Sequence, residues 1–242
     1  MSLMRTQVHG GARVQSVVGR AMSRMGGKQL GVLGVAGLTL TLLAPVTAQA
    51  QSVSANAGWA SEYFYRGIAQ KTSSASAGLD LSAGPVSVGT WLADVGDGTE
   101  VDLFGSVGFE AQEFSVSFGG TAYLYTGEFD DTYLEANINA GFGPVSYELS
   151  FGQYENFTGP TQDYWFTGVT VENEGFYGKI AGFGGDFSGN YGEVGYGFSA
   201  AELDFSVAGI LSDSELSGLS DGANLPTPGL TMIFGIGKTF EF

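Results

Sequence analysis

Beyond residue 50, apolar and polar residues alternate in short runs, and no stretch carries a helical apolar face. Val53, Ala55, Ala57 and Trp59 alternate with Ser54, Asn56 and Gly58. Val101, Leu103, Val107 and Phe109 alternate with Asp102, Ser106 and Gly108. Val145, Tyr147, Leu149 and Phe151 alternate with Ser146, Glu148 and Ser150. Successive side chains of a strand point to opposite faces, so each run is a strand with one apolar and one polar or small face. Twelve such runs can be counted. The last ends on Phe242, with Leu230, Met232, Phe234, Ile236, Phe240 and Phe242 on one face. Thr231, Gly235, Gly237, Thr239 and Glu241 lie on the other, and Ile233 and Lys238 break the pattern.

The connections alternate between two kinds. Five are short: Ala83–Pro85, Glu110–Glu113, Gly141–Pro144, Glu172–Gly175 and Ser199–Glu202. The others, at Arg66–Ser74, Asp94–Gly98, Gly127–Asp131, Glu155–Thr161, Gly184–Asn190 and Ser212–Gly229, are more variable and often longer. Short turns at one end and longer loops at the other are the signature of a transmembrane barrel. Aromatic residues give a second sign. Phe109, Phe114, Phe142, Phe176, Phe198, Phe205, Phe240 and Phe242 fall beside the short turns. Tyr63 and Trp165 fall near the longer loops, with Trp59 lower on its strand. Two such belts around an apolar band suit a lipid-facing wall. The predicted fold is all-β: an antiparallel transmembrane β-barrel of about 12 strands. Its last strand closes on the first somewhere along Val53 to Tyr65, and both termini are periplasmic.

The first 50 residues differ. They carry Arg5, Arg13, Arg20, Arg24 and Lys28, no acidic residue, an apolar run from Leu30 to Val46, and then Ala48-Gln49-Ala50. This is the pattern of a cleaved signal peptide, residues 1–50, leaving the barrel as residues 51–242. The basic region is long, and Met22 or Met25 would begin a more ordinary signal. A retained N-terminal anchor is the alternative. Residues 51–242 keep four basic residues, Arg66, Lys71, Lys179 and Lys238, against all 25 acidic ones, a balance of −21. Nucleic acid is therefore not an expected partner. The single His, His9, lies in the signal segment, and the chain has no Cys. Residues 51–242 thus cannot build a Ser-His-Asp or Cys-His centre, or a zinc site with His or Cys ligands. No enzyme activity, cofactor or metal is expected.

The polar face carries Asp80, Glu100, Asp102, Glu135, Glu148, Glu193 and Asp204, opposed by Lys179 within the strands and by Arg66 at the top of the first. In a barrel with an apolar exterior, these residues line the lumen. Isolated charges are not buried dry, so such a lumen is wet, or its carboxylates are paired or protonated. Surplus carboxylate favours cations. Arg66 and Lys179 are the expected counter-charges at the constriction. The alternative is a charge network that plugs the lumen. The acidic loops Asp94–Glu100 and Gly184–Gly189 match no complete calcium motif and read as solvated loops.

Several segments resemble a known family. Ser61-Glu-Tyr-Phe-Tyr-Arg-Gly-Ile-Ala-Gln70 is similar to the first-strand signature of the TorF-like porins, bacterial outer-membrane proteins with Ser-Asp-Tyr, two residues, then Arg-Gly. Gly78-Leu-Asp80, Val88-Gly-Thr-Trp91, Glu100-Val-Asp102, Tyr123-Leu-Tyr125 and Tyr133-Leu-Glu135 follow in the family's order. The resemblance covers most of residues 55–140 and is clearest over 61–102. Glu62 replaces the usual Asp, and Ser74–Gly78 and Thr126 depart from the family's Pro-containing positions. The resemblance implies a porin. The expected function is passive diffusion of small solutes, with cation preference, across the bacterial outer membrane. The alternative is a closed structural or surface-interaction barrel that works through its acidic extracellular loops. Expected partners are outer-membrane lipid and lipopolysaccharide, the barrel-assembly machinery through the C-terminal strand, and the permeating solutes or cations.

Overall fold

The computed structural model describes residues 51–219 and 229–242. The expected signal peptide, residues 1–50, lies outside the described residues. Twelve strands run in chain order around one closed antiparallel barrel. They are β1 (Gln51–Tyr65), β2 (Ile68–Ala83), β3 (Val86–Asp94), β4 (Thr99–Ala111), β5 (Phe114–Tyr125) and β6 (Tyr133–Phe142). The second half holds β7 (Val145–Tyr154), β8 (Gln162–Asn173), β9 (Phe176–Gly185), β10 (Gly189–Ala200), β11 (Leu203–Ser212) and β12 (Leu230–Glu241). A short helical turn, α1 (Ser214–Ser217), follows β11. No helix among the described residues is long and apolar enough to cross a membrane.

The closing seam pairs β12 with β1, with Ser54 opposite Glu241, Ala57 opposite Lys238 and Ala60 opposite Gly235. The Phe242 N–H donates to the Val53 carbonyl at 3.0 Å. Closure leaves no free strand edge, which lipid requires because it offers backbone groups no partner. The strands span 9 residues in β3 to 16 in β2, against roughly 9–11 for a tilted crossing. The turn between β8 and β9 shows how tight the short connections are. Glu174 and Gly175 have φ of 49° and 88°, the left-handed pair of a type I′ turn that matches strand twist. Both barrel termini lie at this turn end.

The alternation seen in the sequence sorts cleanly in space. Leu103, Phe118, Leu134, Phe151, Val169, Ile180, Val194, Leu211 and Phe234 are exposed on the outer wall. The residues of the opposite phase, among them Asp102, Glu135 and Glu193, face the lumen. The turn-end aromatic belt is present: Phe109, Phe114, Phe142, Phe176, Phe198, Phe240 and Phe242 are exposed, and Phe205 stacks on Phe198 at 5.3 Å.

Two expectations at the other end are corrected. Arg66 to Ser74 is not a loop: β1 and β2 join through the two-residue turn Arg66-Gly67, with φ of 41° and 88°. Tyr63 is not in an outer belt: it is buried, and its hydroxyl reaches Glu100. The β1–β2 register shifts between Tyr63 and Phe64, and Ser73 takes a positive φ of 60°. Tyr63 pairs with Lys71 but Phe64 with Ala69, so Gln70 is the extra residue of a bulge that bends the hairpin, and Tyr63, Phe64 and Tyr65 are all buried there. Trp165 and Trp59 remain on the outside.

Candidate functional site

The lumen has two unlike halves. Toward the turn end it is lined by small polar residues: Ser54, Asn56 and Ser76, with Asp80 and Asp204 among them. Register fixes this, because Ser54 pairs with Asp80 and Asn56 with Gly78, all on the inward phase. The Asp204 carboxylate accepts from the Ser199 hydroxyl at 2.5 Å. Toward the loop end, aromatic rings crowd the lumen. Tyr133 stacks on Tyr154 with ring centroids 4.3 Å apart, and Tyr164 on Phe187 at 4.7 Å. Tyr123, Phe166, Phe183 and Tyr191 belong to the same packed group.

The charges lie in and just below the aromatic half. Glu135 on β6 is the hub. It accepts from both terminal nitrogens of Arg66, at 2.5 and 3.1 Å. It also accepts from the hydroxyls of Tyr164 at 2.8 Å and Tyr123 at 3.2 Å, and from the Asn137 amide at 2.9 Å. A buried carboxylate with this many donors and a paired cation is electrostatically satisfied. Glu100 accepts from the Tyr63 hydroxyl at 3.0 Å on each oxygen. Asp102, two positions along β4, is buried, and its Oδ1 has no hydrogen-bond partner. Glu193 accepts from the Tyr177 hydroxyl. Glu148 on β7 pairs with Lys179 on β9. The Lys179 ammonium also lies 5.7 Å from the Phe166 ring centroid and 5.9 Å from that of Tyr191.

The acids named from the sequence, and Lys179, lie on the inward phase of their strands. Glu100, Asp102, Glu135 and Glu193 are buried, while Asp80, Glu148, Lys179 and Asp204 are half-buried. Arg66 and Lys179 are both counter-charges, on different acids. The sequence reading missed the tyrosines. Tyr63 and Tyr177 are neutral donors to Glu100 and Glu193, and Tyr123 and Tyr164 add to the donors around the Arg66-paired Glu135. A signal was present for three of them: Tyr123 shares a phase with Thr121, Tyr164 with Gln162, and Tyr177 with Lys179. Space for one of them comes from a glycine. A Cβ on Gly195 would lie 2.4 Å from the Tyr177 ring, so only a residue without one lets that ring lie over β10 beside Glu193.

The acidic loops have partners of their own. Asp94 pairs with Lys71 and accepts the Gly96 N–H at 2.9 Å. Asp130 is buried and accepts from Tyr133 at 2.9 Å and Tyr154 at 3.0 Å, fixing the loop after β5 onto the aromatic group.

No protein-family model and no curated protein sequence matches this chain. Solved structures do. A membrane-protein structure from work on in-meso crystallization superposes with a TM-score of 0.53 at 7% identity, covering 79% of this chain and 84% of that one. OccAB2 of Acinetobacter baumannii gives 0.39 at 11% identity, covering 73% and 57%. The outer membrane protein OpdK of Pseudomonas aeruginosa gives 0.37 at 11%, covering 71% and 58%. The chain thus spans under two thirds of the length of the last two. The first likeness is one of fold.

Proposed function

We propose that this chain is a porin-like channel of the bacterial outer membrane, passing small solutes passively and preferring cations. The carrying observation is the surplus of carboxylate around the lumen. Glu100, Asp102, Glu135, Glu148 and Glu193 surround only Arg66 and Lys179, and Asp80 and Asp204 continue the acidic lining toward the turn end. Negative potential in a low-dielectric wall concentrates cations and excludes anions. The aromatic half narrows the route, so unitary conductance is small.

The outer membrane is favoured by the exposed apolar band and by the turn-end belt, which includes Phe240 on β12 and Phe242 just after it. That strand is the expected contact for the barrel-assembly machinery. Lipopolysaccharide would meet the acidic loops, with the turn end periplasmic. The resemblance to TorF-like porins points the same way. A catalytic role is disfavoured because residues 51–242 contain no His or Cys. The test is a reversal potential across a planar bilayer under a potassium chloride gradient. Cation preference is expected. Anion preference, or no conductance at all, sinks the proposal.

One observation favours a second reading, a closed barrel acting through its loops: aromatic rings crowd the loop-end half of the lumen. Exchanging the loops would separate the two readings. Loss of a binding phenotype with conductance unchanged favours the second.

A further inference from the structure

The tip of the β1–β2 hairpin bends inward across the loop-end mouth. Phe64, Tyr65, Ile68 and Ala69 are only 5%, 1%, 2% and 1% exposed, which no loop projecting into water would show. The tip reaches strands far from its own neighbours, β12 and β3. Tyr65 meets the Tyr123 ring on β5 at 5.8 Å. The Gly67 carbonyl accepts from Ser212 at the end of β11. Gly67 itself is so close to β10 and α1 that a Cβ would lie 2.9 Å from Tyr191 and 2.8 Å from Leu216.

Arg66, at the apex, is held as a ligand is held. Its two terminal nitrogens fork onto Glu135, and Nη2 also donates to the Ser150 hydroxyl on β7 at 3.2 Å. Its guanidinium carbon lies 4.0 Å from the Phe166 ring centroid on β8 and 5.1 Å from that of Tyr65. A planar cation that is forked on a carboxylate and stacked on an aromatic face is recognised as guanidinium. An ammonium would meet the same groups as a point charge and lose the fork.

We propose that the hairpin tip is a latch whose Arg66 fills a guanidinium-binding seat in the lumen wall, built by Glu135, Ser150 and Phe166. A free solute bearing a guanidinium group competes for that seat and releases the tip. The seat belongs to β6, β7 and β8, whereas its occupant comes from the β1–β2 turn, so the wall can keep the seat while the tip leaves. What release does to permeation rests on the channel reading; the seat does not.

The experiment uses the full barrel in detergent micelles and reads its thermal midpoint. Arg66→Ala empties the seat. Millimolar guanidinium chloride should then raise the midpoint saturably relative to potassium chloride at equal ionic strength, because a ligand that binds only the folded state stabilises it. The rise should vanish in Arg66→Ala combined with Glu135→Gln. In the wild type it should need about tenfold or more guanidinium, since the tethered Arg66 competes at high effective concentration. Equal midpoints in the two salts overturn the proposal, as does an equal rise in the double variant. If Arg66→Ala fails to assemble, Arg66→Gln is compared in the same way, with the same outcomes deciding. Bilayer recordings then separate the two ideas. A variant that binds guanidinium but carries no current keeps the seat and removes the channel reading.

Discussion

Lys179 on β9 reaches Glu148 on β7 across the backbone of Gly168, on the strand between them. A Cβ on Gly168 would lie 2.8 Å from a Glu148 carboxylate oxygen and 3.0 Å from the Ala181 Cβ. The glycine is thus the gap through which the ion pair forms. Gly168→Val should push Glu148 aside and separate the pair while leaving both charges in the lumen. Removing one partner from such a pair is more damaging than removing both, because the remaining charge is left inside. Lys179→Met should therefore raise the cation-to-anion permeability ratio and lower stability. Lys179→Met with Glu148→Leu should restore the stability and return the ratio toward wild type. Bilayer reversal potentials and urea unfolding in vesicles measure the two effects.

The Tyr63 hydroxyl bridges both oxygens of Glu100. Tyr63→Phe keeps the ring, which lies 5.9 Å from Trp91, and removes only this donor. Loss of a hydrogen bond to a buried charged group costs about 1.5–3 kcal/mol. Equilibrium unfolding should show a loss of that order with little change in the denaturant slope. An unchanged midpoint would mean that other donors carry Glu100.

The same tyrosine marks where the chain could and could not be read from its sequence. Strand count, closure and the turn-end belt were legible because strict alternation has only one interpretation in a wall that is apolar outside and polar inside. Leu103 and Asp102 needed no structure to be placed. Tyr63 did. It lies just before the register shift, and a bulge leaves no mark in alternation except a broken phase. The Arg66-Gly67 turn was hidden for a related reason. Residues 66–74 hold Ser, Thr, Gly and Lys, a composition that fits a loop as well as a twisted strand. The lumen acids were legible as a face, but their tyrosine donors come from other strands, and only the register brings Tyr164 to Glu135.

Gly67 gives a direct handle on the hairpin tip. Its φ of 88° is strained for any residue with a side chain, and the space a Cβ needs is already taken by Tyr191 and Leu216. Gly67→Val should lift the tip from the mouth at a cost of about 1–3 kcal/mol in unfolding free energy. In single-channel recordings the variant should conduct more than wild type. Lower stability with unchanged conductance would show that the tip supports the fold without closing the route.

The outer wall makes its own prediction. Ile180, at the middle of β9, is 71% exposed and flanked by Val169 and Gly192 on its neighbours. Arg at a lipid-facing position near the bilayer centre costs about 2–4 kcal/mol, falling toward the interfaces. Ile180→Arg should lose that much in vesicle unfolding, while Ile180→Val should be close to neutral. A small loss for the arginine variant would place Ile180 at an interface or against a partner.

At the turn end, Lys238 sits on the outward phase of β12, where most neighbours are apolar. Glu202, in the turn between β10 and β11, accepts from its ammonium at 2.8 Å. The Phe240 ring centroid lies 5.4 Å from the same nitrogen. The hydrogen bond from Lys238, helped by its charge, holds the Glu202 carboxyl below its ordinary value. A carboxyl depressed in the folded state favours folding at neutral pH, and this contribution is lost as pH falls through its folded value. The pair is exposed, so the effect is small and screened by salt. Unfolding midpoints of wild type and Lys238→Met should therefore differ most at neutral pH and low salt. They should converge once Glu202 is protonated. A difference that persists unchanged into acid would assign the role of Lys238 to its contact with Phe240 and the lipid boundary instead of to the ion pair.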